Sequence, residues 1–491
     1  MSFQYRSMLK ATTVFGGTQI LQMLIQLVRS KFVAVLIGST GMGLNSMYMS
    51  SLTMLITIFG LGIHTSVVRD LSKANDEGNN DHFSLIAGVF SRLLIILSLL
   101  GVVFVVLVST KLSELSFGDK DHAIQYVFLS LVVAFTLLQQ GNNAILVGKR
   151  RIKDVAKCSL FSAIVTLFTS VPFFYFLKLD GVVPGLIVST IASYLISLFF
   201  RSKVKLPSIN ITLIDIKKYG STIVSLGLTM VIASLLGNLT VYIINIFVTR
   251  IGGLDDLGLF NAGMSLTQSI VSLVFAAMGA DYYPRLVASL FSRESMCETV
   301  NQQTEVLVHL SVPILCAFSI LSPLIVRILL SEEFLAINGF IRILCFGMFF
   351  KIISYTLGYI SFAQGDKTVY LFLEGGFNNV MNLFLSVVMY YLWGVTGIAF
   401  AFVINYVFYY FLILLVDRKR YKYQVSITTK YTVILNAVIV SVMLIAHYLL
   451  SGLLYYFVTA AITLLASYIN LKELNKKTEV FQFIKQKIKT W

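Results

Sequence analysis

Long apolar runs separated by short polar segments fill almost the whole chain. Many of these runs reach the roughly 20 residues that a helix needs to cross the hydrocarbon core of a membrane. They are continuous, without the alternation of apolar and polar residues that is typical of barrel strands. The pattern therefore predicts an all-α polytopic membrane protein of about 14 transmembrane helices, at 11–37, 44–64, 83–108, 123–147, 158–177, 182–200, 219–249, 258–280, 301–330, 337–362, 370–391, 394–416, 431–449 and 452–470.

Composition agrees with this pattern. Hydrophobic residues make up 57% of the 491 residues, charged residues only 12%, and the mean hydropathy is +0.85. These values lie far from those of soluble globular proteins. The shortest predicted hairpins fall at Gly181, Trp393 and Ser451, where a few residues separate two apolar runs.

The distribution of Lys and Arg predicts the orientation. With the N-terminus in the cytoplasm, 28 of the 38 Lys and Arg residues fall on the cytoplasmic side, 5 on the opposite side and 5 inside the predicted spans. This bias places both termini in the cytoplasm. Most of the +15 charge then faces anionic lipid, and the basic tail FQFIKQKIKTW is expected to rest on that surface, so nucleic acid is not an expected partner.

No motif in the sequence indicates bond-making chemistry. The four cysteines, Cys158, Cys297, Cys316 and Cys345, lack the spacing of a metal or redox site. Nucleotide-binding and hydrolase signatures such as Walker A, GxSxG and HExxH are absent from the sequence. We therefore predict neither an enzyme activity nor a cofactor or metal.

Two similar segments indicate an internal repeat. The sequence GLNSMYMSSLTMLIT begins at Gly43, and GLFNAGMSLTQSIVS begins at Gly258, an offset of 215 residues. Each segment carries polar residues spaced by 4, 3 and 4, which lie on one face of a helix. The preceding spans carry polar stripes of their own, with Gln22, Gln26 and Arg29 offset by 216 from Asn238, Tyr242 and Asn245. Because transporters are commonly built from two related halves around one site, the stripes predict a shared polar cavity. Its predicted lining is Gln22, Gln26, Ser50, Thr53, Asn238, Tyr242, Asn245, Ser265 and Gln268.

Four basic residues inside the spans are candidates for binding an anion. Arg29 ends the stripe of the first helix and should face the cavity, because an embedded cation is costly unless it is solvated or paired. Lys31 lies about 160° round the helix from Arg29, so its side chain either reaches towards the lipid headgroups or pairs with a neighbouring residue. Arg342 and Lys351 lie about 180° apart on one span. Lys351 is the better candidate, and Arg342 fits an anchor at the membrane interface.

Glu374 stands out as an embedded acid, because acidic residues are almost absent from the predicted spans. It either binds a coupling cation or proton, or pairs with Lys351. A cavity with more positive than negative lining suits an anionic solute, such as one that carries phosphate.

Several segments resemble the O-antigen translocases, the Wzx-type flippases of the polysaccharide-exporter branch of the MOP superfamily. They are VRSKFVAVLIGSTGMGL, LGIHTSVVRDLSKA, GADYYPRLVAS, NQQTEVLVHLSVP and AQGDK, within residues 8–416. The resemblance implies two pseudo-symmetric six-helix lobes plus a C-terminal helix pair, here an N-lobe at 1–205, a C-lobe at 206–416, and the last two spans with a basic tail at 417–491. It also puts Lys31, Arg285, Lys351 and Glu374 at positions where the family tends to carry such residues.

The activity implied by the resemblance is transfer of an undecaprenyl-diphosphate-linked oligosaccharide across the inner membrane by alternating access. The implied partners are this lipid-linked oligosaccharide and membrane lipids, with a polysaccharide polymerase and a chain-length regulator as further candidates. Two other classes stay open: a cation-coupled multidrug exporter of the related MATE-type family, and a non-transporting membrane scaffold of a glycan-assembly complex.

Overall fold

A computed structural model describes residues 3–204, 207, 211–279 and 282–478, with side chains from 17 to 476 apart from 213, 229, 230, 273, 274 and 276–279. These residues form helices joined by short turns, and no strand occurs among them. The helices are α1 (Phe3–Gly60), α2 (Ile63–Asp76), α3 (Asn80–Ser116), α4 (Ala123–Gly148), α5 (Ile152–Leu177), α6 (Val182–Ser202), α7 (Leu213–Gly279), α8 (Tyr282–Ser289), α9 (Arg293–Leu329), α10 (Asn338–Ala363), α11 (Lys367–Tyr370), α12 (Asn378–Arg420), α13 (Ile427–Leu449) and α14 (Gly452–Thr478). The predicted all-α architecture is confirmed.

Ten helical stretches among the described residues are long and apolar enough to cross a membrane. Four of them contain an internal break: Gly38 in α1, Gly253 in α7, Trp393–Gly394 in α12, and the 3₁₀ turn Lys178–Gly181 between α5 and α6. Counting each of these four as two passes gives fourteen. The chain is a multi-pass membrane protein, and the number of passes stays a prediction.

The exposed surface carries large apolar side chains, as a lipid-facing surface should. Leu107 in α3 is 78% exposed and Phe176 in α5 is 77% exposed. In contrast, many serine and threonine side chains are buried between helices, where their hydroxyls bond to backbone carbonyls one turn earlier. This distribution is the reverse of that in a water-soluble domain and fits a lipid solvent.

The chain divides into two compact units, residues 1–261 and 262–491. The first unit holds α1–α6 and the first part of α7, and the second holds the rest of α7 and α8–α14. The division into lobes at 1–205 and 206–416, with 417–491 added, stays a prediction.

Within the first unit, α1 and α7 are broken in the same way. Gly38 has φ 65° and ψ −165°, and Gly253 has φ 80° and ψ −175°. Both values lie where only glycine is unstrained, so each glycine permits a sharp change of helix direction. The two breaks are 215 residues apart, the offset of the second-helix polar stripes, which supports the repeat.

The helices that follow these breaks touch each other through glycine. A Cβ on Gly43 would overlap the carbonyl oxygen of Leu254, and a Cβ on Gly258 would overlap that of Ser39. The two contacts are equivalent in the repeat, because Gly258 is the counterpart of Gly43 and Leu254 the counterpart of Ser39, both at the offset of 215 residues. Backbone against backbone packing of this kind requires residues without side chains.

Hydrogen bonds reinforce this junction. The hydroxyls of Ser39 and Thr40 both donate to Oδ1 of Asp255, at 2.7 and 2.5 Å. Asp255 in α7 is the repeat counterpart of Thr40 in α1, so the bond from Thr40 joins equivalent positions of the two repeats. Two donors on one carboxylate oxygen form a charge-assisted pair, which is stronger than bonds between neutral groups.

In the second unit, residues 282–286 (YYPRL) and the NQQT segment at 301–304 contact each other. Arg285 Nη2 donates to Gln303 Oε1 at 2.5 Å, and the Tyr282 hydroxyl donates to the Thr356 carbonyl at 2.8 Å. The hydroxyls of Thr304 and Thr356 lie 2.9 Å apart. These two parts of the segments that carry the family resemblance therefore connect α8, α9 and α10.

Candidate functional site

A cavity of about 330 Å³ lies inside the first unit, among helices α1, α4, α5 and α6, and its lining combines polar side chains with apolar ones such as Leu52, Ile56 and Leu186. Arg29 lines it, so the cation at the end of the first polar stripe faces a cavity within this unit. The other polar side chains in its lining are hydroxyls and amides, from Thr53, Thr57, Thr136, Gln139, Gln140, Thr166, Ser189, Thr190 and Ser193. Among the described residues, none that lines this cavity is a carboxylate.

The guanidinium of Arg29 is only partly bonded. Its Nε donates to the hydroxyl of Ser170 in α5 at 3.2 Å, and Ser170 in turn donates to the Thr166 carbonyl at 2.7 Å. One terminal nitrogen of Arg29 is buried and has no hydrogen-bond partner among the described residues. A buried guanidinium donor without an acceptor is costly, and a bound anionic oxygen would remove that cost.

A second cavity of about 330 Å³ shares Thr57 and Gln140 with the first. Its lining includes His64 and Ser234 as well as the glycines at 60 and 62. Asn238, from the stripe of α7, donates to the Thr57 hydroxyl at 2.9 Å. The Nδ1 atom of His64 is buried without a partner in the described part of the chain. The polar tract thus runs from Arg29 past Thr57 to His64.

The remaining polar residues predicted on α1 differ in exposure. Gln26 is exposed and Gln22 is half-buried. Ser50 donates to the Met47 carbonyl and Thr53 to the Met49 carbonyl, at 3.0 and 2.7 Å. Of these four, Thr53 lines the Arg29 cavity.

Tyr242 and Asn245 are buried where α7 packs against neighbouring helical segments, and they do not lie on an open surface. Tyr242 is 4% exposed, and its hydroxyl lies 2.8 Å from that of Ser116. Asn245 is 1% exposed, and its Oδ1 accepts from Asn261 Nδ2 at 3.3 Å. Their stripe packs against neighbouring helices, and we leave both residues out of the proposed site.

Further along α7, the face predicted to be polar is the exposed one. Ser265 and Gln268 are exposed, whereas Leu266 between them is 2% exposed. The helical periodicity therefore separates the two faces as the sequence predicts. Their contribution to a cavity stays a prediction.

The four candidate cations occupy different environments. Lys31 is half-buried and is not part of the Arg29 cavity lining. Arg342 Nη1 lies 2.8 Å from His447 Nδ1 of α13, and the guanidinium lies 4.7 Å from the centre of the Tyr455 ring of α14. Arg342 thus fastens α10 to the last two helices, so we leave it out of the proposed substrate site.

Lys351 lies over two aromatic rings of α12. Its Nζ is 5.7 Å from the centre of the Phe402 ring and 5.5 Å from that of Tyr406. No carboxylate of the described residues lies within 4.0 Å of it, although Glu374 is close enough for Coulomb attraction. The predicted alternative of a direct Lys351–Glu374 ion pair is therefore not seen, and a cation stabilised by aromatic faces is seen instead.

Glu374 lies in a π-helical segment, Leu371–Phe377, between α11 and α12. Such segments are rare and occur often at functional sites, because the extra residue redirects side chains. The Tyr409 hydroxyl donates to Glu374 Oε1 at 2.6 Å. Glu374 also lines a cavity of about 220 Å³ with Tyr355, Gly358, Tyr359, Phe362 and Tyr370. An acid surrounded by phenols can hold a proton or a cation.

The expectation that Glu374 is the exceptional embedded acid was wrong. Glu305 in α9 is 5% exposed, and the Thr429 hydroxyl of α13 donates to its Oε1 at 2.6 Å. Asp417 in α12 is fully buried. Hydropathy does not single out these two acids, because Glu305 follows the polar NQQT segment at the start of a predicted span and Asp417 stands one residue past the end of another.

The comparisons with known proteins identify the family. The family model described as "Polysaccharide biosynthesis protein" matches residues 8–289, more than half of the chain. The chain belongs to this family. The predicted resemblance is thereby confirmed at the level of the family.

Relatives and solved structures agree with this assignment. An O-antigen transporter of Shigella flexneri is 23% identical over 60% of this chain and 71% of its own length. A lipid III flippase of Escherichia coli K12 is 21% identical over 82% of this chain and 96% of its own.

Among solved structures, the lipid II flippase MurJ matches with a TM-score of 0.71 at 14% identity, over 95% of this chain and 99% of its own. An inward-facing MATE family multidrug transporter of the MOP superfamily matches with a TM-score of 0.65 at 16% identity, covering 81% and 94%. The chain therefore has the fold of these transporters.

Proposed function

We propose that this protein is a flippase that moves an undecaprenyl-diphosphate-linked oligosaccharide across the bacterial inner membrane, with both of its termini in the cytoplasm. The observation that carries the proposal concerns Arg29: one of its buried guanidinium nitrogens has no partner among the described residues, and the residue lines a cavity together with hydroxyl and amide side chains of α1, α4, α5 and α6. Arginine binds phosphate oxygens through two parallel bonds, and hydroxyl and amide groups suit the polar surface of a sugar.

The family and its relatives support this choice of substrate class. Both relatives reported above are named for moving lipid-linked or O-antigen material, and the family is named for polysaccharide biosynthesis. The names of the two relatives describe a transporter and a flippase, and neither describes an enzyme that makes or breaks covalent bonds. We therefore propose transport without covalent catalysis.

The mechanism that we propose is alternating access. The diphosphate binds Arg29, the glycan lies along the polar tract towards His64, and the prenyl chain stays in the lipid. The breaks at Gly38 and Gly253 let the following helices change direction while the Gly43–Gly258 junction opens and closes. Glu374 supplies the coupling site for a proton or cation, and Lys351 balances its charge.

A multidrug exporter is the second candidate function, because a MATE family transporter shares the fold. The environment of Arg29 argues against it. A cavity for organic cations needs acidic or aromatic lining, whereas the described lining of the Arg29 cavity carries a cation and no carboxylate. A membrane scaffold would have no use for an arginine that lines such a cavity and leaves a guanidinium nitrogen without a partner among the described residues.

A deletion strain tests the proposal. Loss of the gene should cause lipid-linked repeat units to accumulate on the cytoplasmic leaflet and surface glycan to disappear, since synthesis continues but transfer stops. Lipid extraction with mass spectrometry measures the accumulation and identifies the sugar. Normal surface glycan together with increased drug sensitivity would favour the exporter and would contradict the flippase.

A further inference from the structure

The end of α12 contains a carboxyl group that the proposed transport mechanism does not use. Asp417 is fully buried, and both of its carboxyl oxygens lack a hydrogen-bond partner among the residues that the structure describes. Its backbone carbonyl is engaged, accepting from the amides of Tyr421 and Tyr423 at 3.0 and 3.2 Å. A buried carboxylate in this state would be strongly unfavourable, whereas a neutral carboxyl group costs much less.

The ionisable groups that face Asp417 are phenols. Tyr282 from α8, Tyr409 from α12 itself, and Tyr421 and Tyr423 from the following segment all lie close enough to interact electrostatically with it. None of these phenols carries a positive charge. Within the described part of the chain, the surroundings of Asp417 therefore provide neither a cation to pair with it nor the several oxygen ligands that a metal ion would need.

The nearest cations in sequence are held elsewhere or belong to the surface. Arg420 Nε donates to Asp366 Oδ2 at 2.5 Å, and the Tyr421 hydroxyl donates to the same oxygen at 3.0 Å. Arg420 lowers the pKa of Asp366 through this hydrogen bond, so Asp366 stays ionised at neutral pH. Arg418 is exposed. In contrast to Asp366, Asp417 has no such cation among the described residues.

The segment that follows α12, residues 421–426, bonds to the Asp417 carbonyl through two of its amides and is fastened to α9. Asn301 holds it from both ends of its amide: Nδ2 donates to the Gln424 carbonyl at 2.9 Å, and Oδ1 accepts from the Tyr423 hydroxyl at 2.9 Å and from the Ser426 amide at 3.2 Å. Arg293 Nε adds a bond to the Lys422 carbonyl at 2.8 Å. Three hydrogen bonds with Asn301 and one with Arg293 thus dock residues 421–426 on α9.

We propose that Asp417 is a proton-binding site, and that its proton keeps residues 421–426 docked on α9. When the proton leaves, the buried negative charge has no partner, and the segment must move away so that water can solvate the carboxylate. Proton release at Asp417 thus opens this end of the second unit. Asp417 and Glu374 share one neighbour, the Tyr409 phenol, which donates to Glu374 Oε1 and interacts electrostatically with Asp417. The proposal holds whatever the protein transports.

A native cysteine reports on the docked segment. The Gln424 amide donates to Cys297 Sγ at 3.4 Å, so docking of the segment restricts access to this thiol. Cys297 is half-buried, whereas Cys158, Cys316 and Cys345 are buried. A water-soluble thiol reagent should therefore label Cys297 selectively, and a Cys297→Ser variant gives the background.

The experiment compares the rate of Cys297 labelling in purified wild type and Asp417→Asn at a series of pH values. The ratio of the two rates removes the effect of thiol ionisation, which both proteins share. We expect the wild-type-to-variant ratio to rise with pH, by at most about tenfold per pH unit, the limit for release of one proton. A ratio that does not change with pH would overturn the proposal.

Asp366→Asn is the matched control. It removes an acid that touches the same segment but is already paired with Arg420. We expect it to raise labelling at every pH and to leave the pH dependence as in the wild type. The labelling rate is also compared in Na⁺ and in K⁺. If Na⁺ suppresses labelling of the wild type but not of Asp417→Asn, Asp417 binds a metal cation, and the proposal that it binds a proton is overturned.

Infrared spectroscopy gives a readout that does not depend on labelling. The wild type at neutral pH should show the carbonyl stretch of protonated carboxylic acids. One component of this band should come from Asp417, so it should be missing in Asp417→Asn and should remain in Glu374→Gln and in Glu305→Gln. A wild-type spectrum without any such band would contradict the proposal, even if Asp417→Asn failed to fold.

Discussion

Arg29→Glu should abolish export of surface glycan while the protein remains folded in the membrane. A carboxylate at this position would face the diphosphate of the proposed substrate in a poorly screened cavity, a repulsion of roughly several kcal/mol. Arg29→Ala should lose most of the activity. Arg29→Lys should retain part of it, because the charge remains while the paired donors of the guanidinium are lost.

The measurement is surface glycan divided by the amount of folded protein, for all three variants in the deletion strain. Lys111→Glu is the control for charge reversal, since Lys111 is exposed and pairs with Glu114 at 2.7 Å away from the cavity. It should export normally. Should Arg29→Glu export as well as the wild type at equal abundance, Arg29 has no part in binding the substrate, and Lys351 becomes the remaining candidate.

Gly43→Ala and Gly258→Ala should each destabilise the protein by about 1–3 kcal/mol, as overpacking does. Each added methyl group would overlap a backbone carbonyl of the opposite helix, and a backbone cannot move aside as a flexible side chain can. The double variant should cost less than the sum of the two, since one separation of the helices accommodates both methyl groups. Thermal unfolding in detergent measures the effect.

Gly17→Ala is the matched control in the same helix. No atom of the described residues lies within 4 Å of a Cβ placed on Gly17. Alanine is the better helix former, so this change should be neutral or stabilising by up to about 1 kcal/mol. Equal effects at Gly17 and Gly43 would show that the Gly43–Gly258 contact contributes nothing to stability.

Sequence periodicity predicted the apolar, all-helical architecture. Of the polar residues predicted on α1, Arg29 and Thr53 line the cavity of the first unit, whereas Gln22, Gln26 and Ser50 are not in its lining. A spacing of three and four residues is enough to place Gln22, Gln26 and Arg29 on one side of a helix. Periodicity cannot say what lies opposite that side. Asn238 contacts Thr57 beside the second cavity, whereas Tyr242 and Asn245 on the same stripe pack against neighbouring helices.

Charged residues were harder to interpret, because their meaning depends on distant helices. The contact of Arg342 with His447 joins residues 105 positions apart, and no local pattern reveals it. The π-helical segment that carries Glu374 also changes the angular position of that residue, which a regular helix of constant period cannot predict.

Buried acids at helix ends were missed for a related reason. Glu305 and Asp417 lie where apolar runs begin or stop, and hydropathy assigns such residues to the aqueous boundary. Residues 421–430 fold back onto α9, where Asn301 bonds to Tyr423 and Gln424 and where Glu305 accepts from Thr429. This return of the chain is a tertiary feature with no signature in hydropathy.

Transfer of the lipid-linked oligosaccharide by the purified protein in liposomes tests the central claim most directly. Substrate placed in both leaflets is challenged with a glycosidase that cannot cross the membrane. With wild-type protein, we predict that nearly all of the substrate becomes cleavable with time, whereas with Arg29→Glu about half, the outer leaflet alone, is cleaved. Cleavage that stops at the outer leaflet with the wild type as well, under a proton or sodium gradient of either direction, would contradict the account.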